Sequence, residues 1–223
     1  MENFLQQVSQ QDAARRLPEI LDRVTADHDA HAKLLNTLSR LEYVGVRKML
    51  KSRRAESFDL DGLQHLVEEA AHALRLKRLA HRIAEHPHTV ATFAEAHTLT
   101  GDEAEDYFQK VDQAAASVLE DLPEPERGAA NYFLTSAAIE IRADVFYPIY
   151  EQKLRQIGAP VSVAVIQRDE ERHLQAMSEQ IAQHLSDWQI RLSQVLKQEE
   201  LAFQHWLDLV EEHLQKPDPL ASS

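Results

Sequence analysis

Glu42, Glu69-x-x-His72, Glu140 and Glu170-x-x-His173 follow one another along the chain. Residues three apart on an α-helix leave the same face, so each Glu-x-x-His can aim an oxygen and a nitrogen at one point. A glutamate from each of two further helices completes a six-donor cage inside a four-helix bundle, which is one way a pair of metal ions is held. Charge makes the same demand, because an ionised carboxylate in an apolar core costs several kcal/mol unless it is paired. Two divalent cations balance four converging carboxylates, and the neutral imidazoles of His72 and His173 take remaining positions. Oxygen-rich ligation with one nitrogen per metal suits iron or manganese, whereas zinc more often recruits further imidazoles or thiolates.

The helices that must carry these donors can be read from apolar spacing and from breakers. A packing helix is expected from about Asp12 to Ala26, broken by Pro18. The first donor helix spans about His28 to Ser52, with Leu35, Leu38, Glu42, Val46 and Met49 on one stripe. The second runs from about Leu60 to Glu85, is ended by Pro87, and aligns Leu66, Glu69, His72, Ala73 and Leu76. Thr89 to Thr100 form a connector, a further helix runs from Gly101 to about Leu122, and Pro123-Glu124-Pro125 punctuates. The third donor helix sets Phe133, Ser136, Ala137, Glu140, Asp144 and Tyr147 on one side, kinks at Pro148, and stops at Gly158-Ala159-Pro160. The fourth, from Val161 to about Leu185, aligns Ile166, Glu170, His173, Met177 and Ile181. A last helix, near Asp187 to Gln215, packs Trp188, Leu192, Leu196, Phe203, Trp206 and Val210 outside the bundle. Glu42 to Glu69 and Glu140 to Glu170 are nearly equal stretches, so two similar helix pairs should face each other.

With 37 acidic residues and 12 histidines in 223 positions, about two acid-x-x-His matches arise by chance. Glu85-His86-Pro87-His88 is such a match, but Pro87 drives His86 out of the helical region, so Glu85 and His88 should not share a face. Two motifs on separate helices, each preceded by a helix with a glutamate in its apolar stripe, form a stronger signal. His28, His31, His65 and His81 read as polar-face histidines, with His65, one turn before Glu69, the best placed to act as a gate. Core or rim packing is the plainer role for Tyr43 and Tyr147, beside a proton- or radical-transfer role. Phe133, Ala137 and Met177 are expected among the apolar lining of a substrate pocket.

Five glycines and eight prolines leave little material for the turns of a β fold, and 43% hydrophobic residues suffice for one core. The fold class expected is all-α, one helical domain over residues 1–215, with residues 216–223 a disordered tail. Cysteine is absent, which excludes disulfides, a zinc ribbon, an iron–sulfur cluster and a rubredoxin-type relay. A net charge of −13 argues against a broad nucleic-acid surface. The basic run Arg47, Lys48, Lys51, Arg53 and Arg54 closes a helix, where cations complement the dipole. The N-terminus lacks a cationic segment followed by an apolar one, and no stretch reaches the ~20 apolar residues of a membrane span. A soluble, cytoplasmic protein without membrane association is the expectation.

Across Glu42 to His173 the donor order resembles that of the ferritin-like di-iron carboxylate proteins. The resemblance implies a ferritin-like four-helix bundle with additional flanking helices and two iron ions, manganese being the alternative. It implies that Glu69 and Glu170 bridge the metals while Glu42 and Glu140 each cap one. The run Asp169-Glu170-Glu171-Arg172-His173 is similar to the Asp-Glu-x-Arg-His of the oxygen-activating branch, which includes ribonucleotide reductase small subunits and bacterial monooxygenases. By that similarity Asp169 is a hydrogen-bond partner for a ligand histidine across the bundle, with Glu68 its weaker counterpart. Ferritins proper usually lack the second histidine, and a self-contained rubrerythrin needs a cysteine-ligated iron domain. Small aldehyde-deformylating oxygenases are similar in length and ligand spacing, and a tRNA-hydroxylating branch shares the Glu-x-Arg-His run, against which the acidic surface counts. The implied function is a non-haem di-iron oxygenase or oxidase that uses O₂ on a small organic substrate. Its partners are a separate reductase or electron donor, with homodimer formation compatible. The alternative is a di-metal protein without organic turnover, handling iron or scavenging peroxide.

Overall fold

The computed structural model describes residues 1–52, 58–124 and 126–215. The expected tail at 216–223, the two arginines Arg53 and Arg54, and Pro125 lie outside the described residues. Among the described residues eight α-helices follow in order: α1 (Glu2–Ser9), α2 (Asp12–Ala26), α3 (His28–Ser52), α4 (Leu60–Ile83), α5 (Gly101–Ser117), α6 (Glu126–Gln156), α7 (Ala164–His184) and α8 (Trp188–Gln215). No strand occurs among the described residues, so the fold is all-α. None of the described helices is long and apolar enough to cross a membrane.

The four expected donor helices are α3, α4, α6 and α7. α3 packs along α4 and α6 along α7, and contacts between α3 and α6 and between α4 and α7 close the bundle. Local chemistry sets where each helix starts. Asp27 accepts from the backbone N–H groups of Asp29 and Ala30 at 2.9 and 3.0 Å, at the head of α3. Asp59 does the same for Gly62 at 2.8 Å, at the head of α4. The head of α7 is held by a residue of α6, since Glu151 accepts from Val163 N–H at 2.8 Å and from Ser162 Oγ at 2.9 Å. That contact fixes how far α7 slides along α6, and so the height of Glu170 opposite Glu140.

The connector between α4 and α5 contains two 3₁₀ turns, Pro87–Val90 and Glu95–His97. It is strapped to α3: Asn36 donates to the carbonyls of Thr92 and His97 at 2.8 and 2.6 Å, and Arg40 to that of Phe93 at 3.1 Å. Thr100 takes a left-handed conformation with φ 50°, and a Cβ on Gly101 would stand 2.3 Å from Thr98 Oγ1. Only glycine fits there without displacing the turn.

α6 is the central helix, with buried residues on most of its circumference. α8 lies against it outside the four donor helices and buries Trp188, Leu192, Leu196, Phe203, Trp206 and Val210, as its periodicity predicts. An ion pair bolts the two together: Arg142 donates to Glu199 Oε1 and Oε2 at 2.8 and 2.7 Å and to Glu200 at 2.8 Å. Tyr107 of α5 adds its hydroxyl to Glu199 at 2.7 Å.

One expectation changes. α2 runs unbroken through Pro18, whose ring sits on the exposed face while Ala13, Ala14, Leu17, Ile20, Leu21 and Val24 are buried. Packing along that face outweighs the local cost of the proline, about 3 kcal/mol. α6 runs through Pro148 to Gln156, just short of the expected stop at Gly158. In addition, α1 precedes α2 and sets Phe4 against Trp188, ring centroids 6.0 Å apart.

Arg142 and Glu199 are 3% and 0% exposed, so removing Glu199 leaves a buried guanidinium held only by Glu200 and Gln11. Glu199→Leu should destabilise the fold by about 3–5 kcal/mol in urea unfolding, and pairing it with Arg142→Met should recover much of that loss. Additive losses in the double variant would show that the pair is not the bolt.

Candidate metal centre

Each donor helix turns its glutamate or Glu-x-x-His toward the bundle axis. Glu69, His72, Glu140, Glu170 and His173 are between 2% and 8% exposed, while Glu42 is half-buried. Their ligand atoms fall into two groups that share Glu69: His65, Glu69, Glu140 and His173, and Glu42, Glu69, His72 and Glu170, the atoms of each group lying within 4.8 Å of one another. All six expected residues are therefore brought together, and His65 joins them. The decoy is left out, since Glu85 and His88 are exposed and lie beyond the end of α4.

The two histidines are oriented across the bundle. His72 Nε2, on α4, lies 3.1 Å from Asp169 Oδ2 on α7, and His173 Nε2, on α7, lies 2.8 Å from Glu68 Oε2 on α4. Arg172 binds both acids, at 3.1 Å to Glu68 and 3.0 Å to Asp169. Glu68 is thus a full counterpart of Asp169. Burial raises the Glu68 carboxyl, but Gln64, His173 and Arg172 outweigh it and hold it near 2, so it stays an acceptor. With each outer nitrogen donating outward, each Nδ1 is left aimed inward.

Those inner atoms have no hydrogen-bond partner. His72 Nδ1, His173 Nδ1, Glu140 Oε2 and Glu170 Oε1 are all buried and unpaired. His72 Nδ1 comes within 3.0 Å of Glu170 Oε1 yet lacks hydrogen-bond alignment, the relation expected of two donors that share an ion. Buried polar atoms are nearly always satisfied, so this cluster fits a metal pair. The carboxylates agree. Burial pushes Glu42 well above the usual range, with the charges of Glu69 and Glu170 adding to it. Burial does the same to Glu170, helped by Glu140, and to Glu140, where Glu69 and Glu42 outweigh an opposing contact from Glu170. Glu69 is the exception: burial raises it, but His173 and His65 outweigh that and hold it low.

Two further residues border the cluster. Tyr147, buried, donates its hydroxyl to Glu42 Oε1 at 2.6 Å, whereas Tyr43 is exposed and stacks on Phe93. Gly45 of α3 faces Glu69, whose Oε2 would lie 3.4 Å from a Cβ there.

A cavity of ≈ 200 Å³ opens onto Glu42, Glu69, Glu140 and Glu170, lined by Leu41, Met49, Phe108, Ile139, Ala143 and Phe146 among others. Lys48 and Asp112, an ion pair of partly exposed residues, also border it. Phe133 and Ala137, expected in this lining, do not reach it, and Met177 lines a second, more polar cavity of ≈ 270 Å³ with Gln64, Glu68 and Arg172. The reason is register. The apolar cavity runs mainly along the face of α6 next to the ligand stripe, at Tyr132, Thr135, Ile139, Ala143 and Phe146, and meets that stripe at Ser136, Glu140 and Tyr147.

In metal-free protein, a carboxyl raised by folding contributes stability below its ordinary value and loses it as pH rises toward the raised one. Glu42, Glu140 and Glu170 act this way. Burial opposes charge on His72 and His173, but Glu170 and Glu69 respectively outweigh it and raise both, so they also lose their contribution with rising pH. Metal binding needs the same groups deprotonated. The melting-temperature gap between metal-loaded and chelated protein should therefore widen from pH 5 to pH 8. Glu140→Gln should stabilise the chelated form at pH 8 by on the order of 1 kcal/mol and lower the melting temperature of the loaded form. A gap that narrows with pH would contradict this charge assignment. No family model, no curated protein and no solved structure matches this chain, so the site stands on its geometry.

Proposed function

We propose that the bundle is ferritin-like, holds two iron ions among Glu42, Glu69, His72, Glu140, Glu170 and His173, and oxidises a small apolar organic molecule with O₂. The observation that carries this reading is the apolar cavity that ends on buried, unpartnered metal-type donors. The donor set, mostly carboxylate oxygen with imidazole nitrogen, suits iron, with manganese as the alternative. A reduced iron pair supplies the electrons and Lewis acidity that activate O₂ beside a bound substrate.

The chain's own residues prepare that chemistry. Glu69, common to both donor groups, is placed to serve both ions. Asp169 and Glu68 fix the histidine tautomers, and Tyr147 holds Glu42 in one orientation while keeping a proton next to it. Leu41, Ile139 and Phe146 exclude water from the cavity side, which protects a reactive oxidant and selects an apolar substrate. Oxygen insertion into a C–H bond consumes O₂, two protons and two electrons and releases water. The chain has no cysteine to hold an iron–sulfur or rubredoxin-type relay, so a separate reductase or small-molecule donor would bring those electrons. A storage protein has no need of an apolar cavity at its ligands, which favours turnover over iron handling.

Protein produced in iron-rich medium should contain about two metal ions per chain. His72→Ala and His173→Ala should each lower that content sharply, and His88→Ala should leave it intact; equal loss in all three, or in none, would remove the assignment. After anaerobic reduction, a pulse of O₂ should be consumed at one molecule per iron pair, with a transient absorption that decays faster when an apolar substrate is present. Continued iron uptake far beyond the pair, or peroxide dismutation by a manganese form beside an inert iron form, would instead establish the alternative without organic turnover.

A further inference from the structure

We infer that His65 is a seventh protein ligand and that it makes the two ends of the metal pair chemically unequal; this rests on the di-metal reading above. His65 Nε2 lies 3.1 Å from Glu69 Oε1 and 3.6 Å from Glu140 Oε1. Its ring centroid is 4.1 Å from that of His173. A residue that merely donated a hydrogen bond to Glu69 could approach from any side. His65 instead has a ring nitrogen that converges with donor atoms of Glu69, Glu140 and His173, all within 4.8 Å. Two of those neighbours, Glu140 Oε2 and His173 Nδ1, are buried atoms without a hydrogen-bond partner, an independent sign that something is to be bound at this end.

The sequence builds the inequality in. His65, Glu69 and His72 are spaced four and three apart, which places three donors on one face of α4. The position one turn before Glu170 on α7 holds Ile166, fully buried and incapable of ligation. The otherwise matched Glu-x-x-His helices thus differ by one imidazole. One end has His65 and His173 with Glu69 and Glu140; the other has His72 with Glu42, Glu69 and Glu170. Nitrogen donors strengthen binding of the later first-row divalent ions more than oxygen donors do, so the two-histidine end fills first and the pair loads in two steps.

The probe is cobalt(II), titrated anaerobically into the chelated full-length chain, with bound metal counted by equilibrium dialysis and coordination followed by visible absorption. Wild-type protein should load in two steps whose affinities differ by at least about tenfold. His65→Leu, which copies the side-chain character of Ile166, should weaken the tighter step by about tenfold or more and bring the two steps together, with the cobalt spectrum of the first step altered. His65→Gln keeps a hydrogen-bond donor near Glu69 without an imidazole and should behave the same way; it also carries the test should His65→Leu not fold. Two unchanged steps and an unchanged spectrum in His65→Gln would overturn the ligand role while leaving the metal pair standing. Failure of wild-type protein to bind two ions would instead overturn the di-metal reading itself.

Discussion

An ionised carboxylate carried from water into a helix bundle loses hydration worth several kcal/mol, and this bundle brings Glu42, Glu69, Glu140 and Glu170 to one place along its axis. Most of the site's features answer that one constraint. Three of the four hold protons well above the usual carboxylate range when no cation is present, and the fourth is kept ionised by two imidazoles. An apolar substitution at each position would cost the fold nothing comparable. A chain that instead keeps four such groups, with helix caps and a cross-bundle clamp to hold them, fits a site for cationic charge that would neutralise them.

The clamp shows how precision is obtained from exposed chemistry. Glu68, Asp169 and Arg172 sit at the rim, where Arg172 keeps both acids ionised. Each acid accepts from the histidine of the opposite helix, so α4 and α7 hold each other's histidines. Direct packing between those two helices is slight, and the paired hydrogen bonds are what register one against the other. Losing Arg172 would free both acids at once and blur both imidazole orientations, although the guanidinium touches neither ring.

Much of this was legible in the sequence because two periodicities coincide: the apolar stripe that drives burial and the three-residue spacing that puts donors on one face. The bounds of α3 match the reading from apolar spacing, and those of α4, α7 and α8 fall within a few residues of it. Pro87 correctly discounted the decoy at Glu85. What failed had a common cause, since a single stripe describes only one face of a helix. His65, one turn before Glu69, reads from sequence as a polar-face histidine best placed to act as a gate, and its closeness to Glu140 and His173 depends on how near α6 and α7 approach. Phe133 and Ala137 lie on the ligand stripe of α6, but the cavity lies on the adjacent face. Gly45 carries no signal alone; only the structure sets it opposite the Glu69 carboxylate. Pro18 breaks nothing for the same reason, since the burial that carries α2 through it is tertiary.

The adjacent face of α6 also explains why four helices are not enough. The cavity is walled on one side by α3 and α6 and on the other by Tyr107, Phe108 and Asp112 of α5 and by Phe203 and Trp206 of α8. A bare four-helix bundle would open that face to water, and the carboxylates would regain the hydration that their burial denies them. The flanking helices therefore belong to the site, and the buried Arg142–Glu199 pair that fastens them lies against the same cavity. Two polar clusters with opposite needs are built side by side. The first pairs Arg142 Nε and Nη2 with Glu199 and Glu200 and locks α8 in place, and the second, with four unpartnered donor atoms, sits in the largely apolar space next to it.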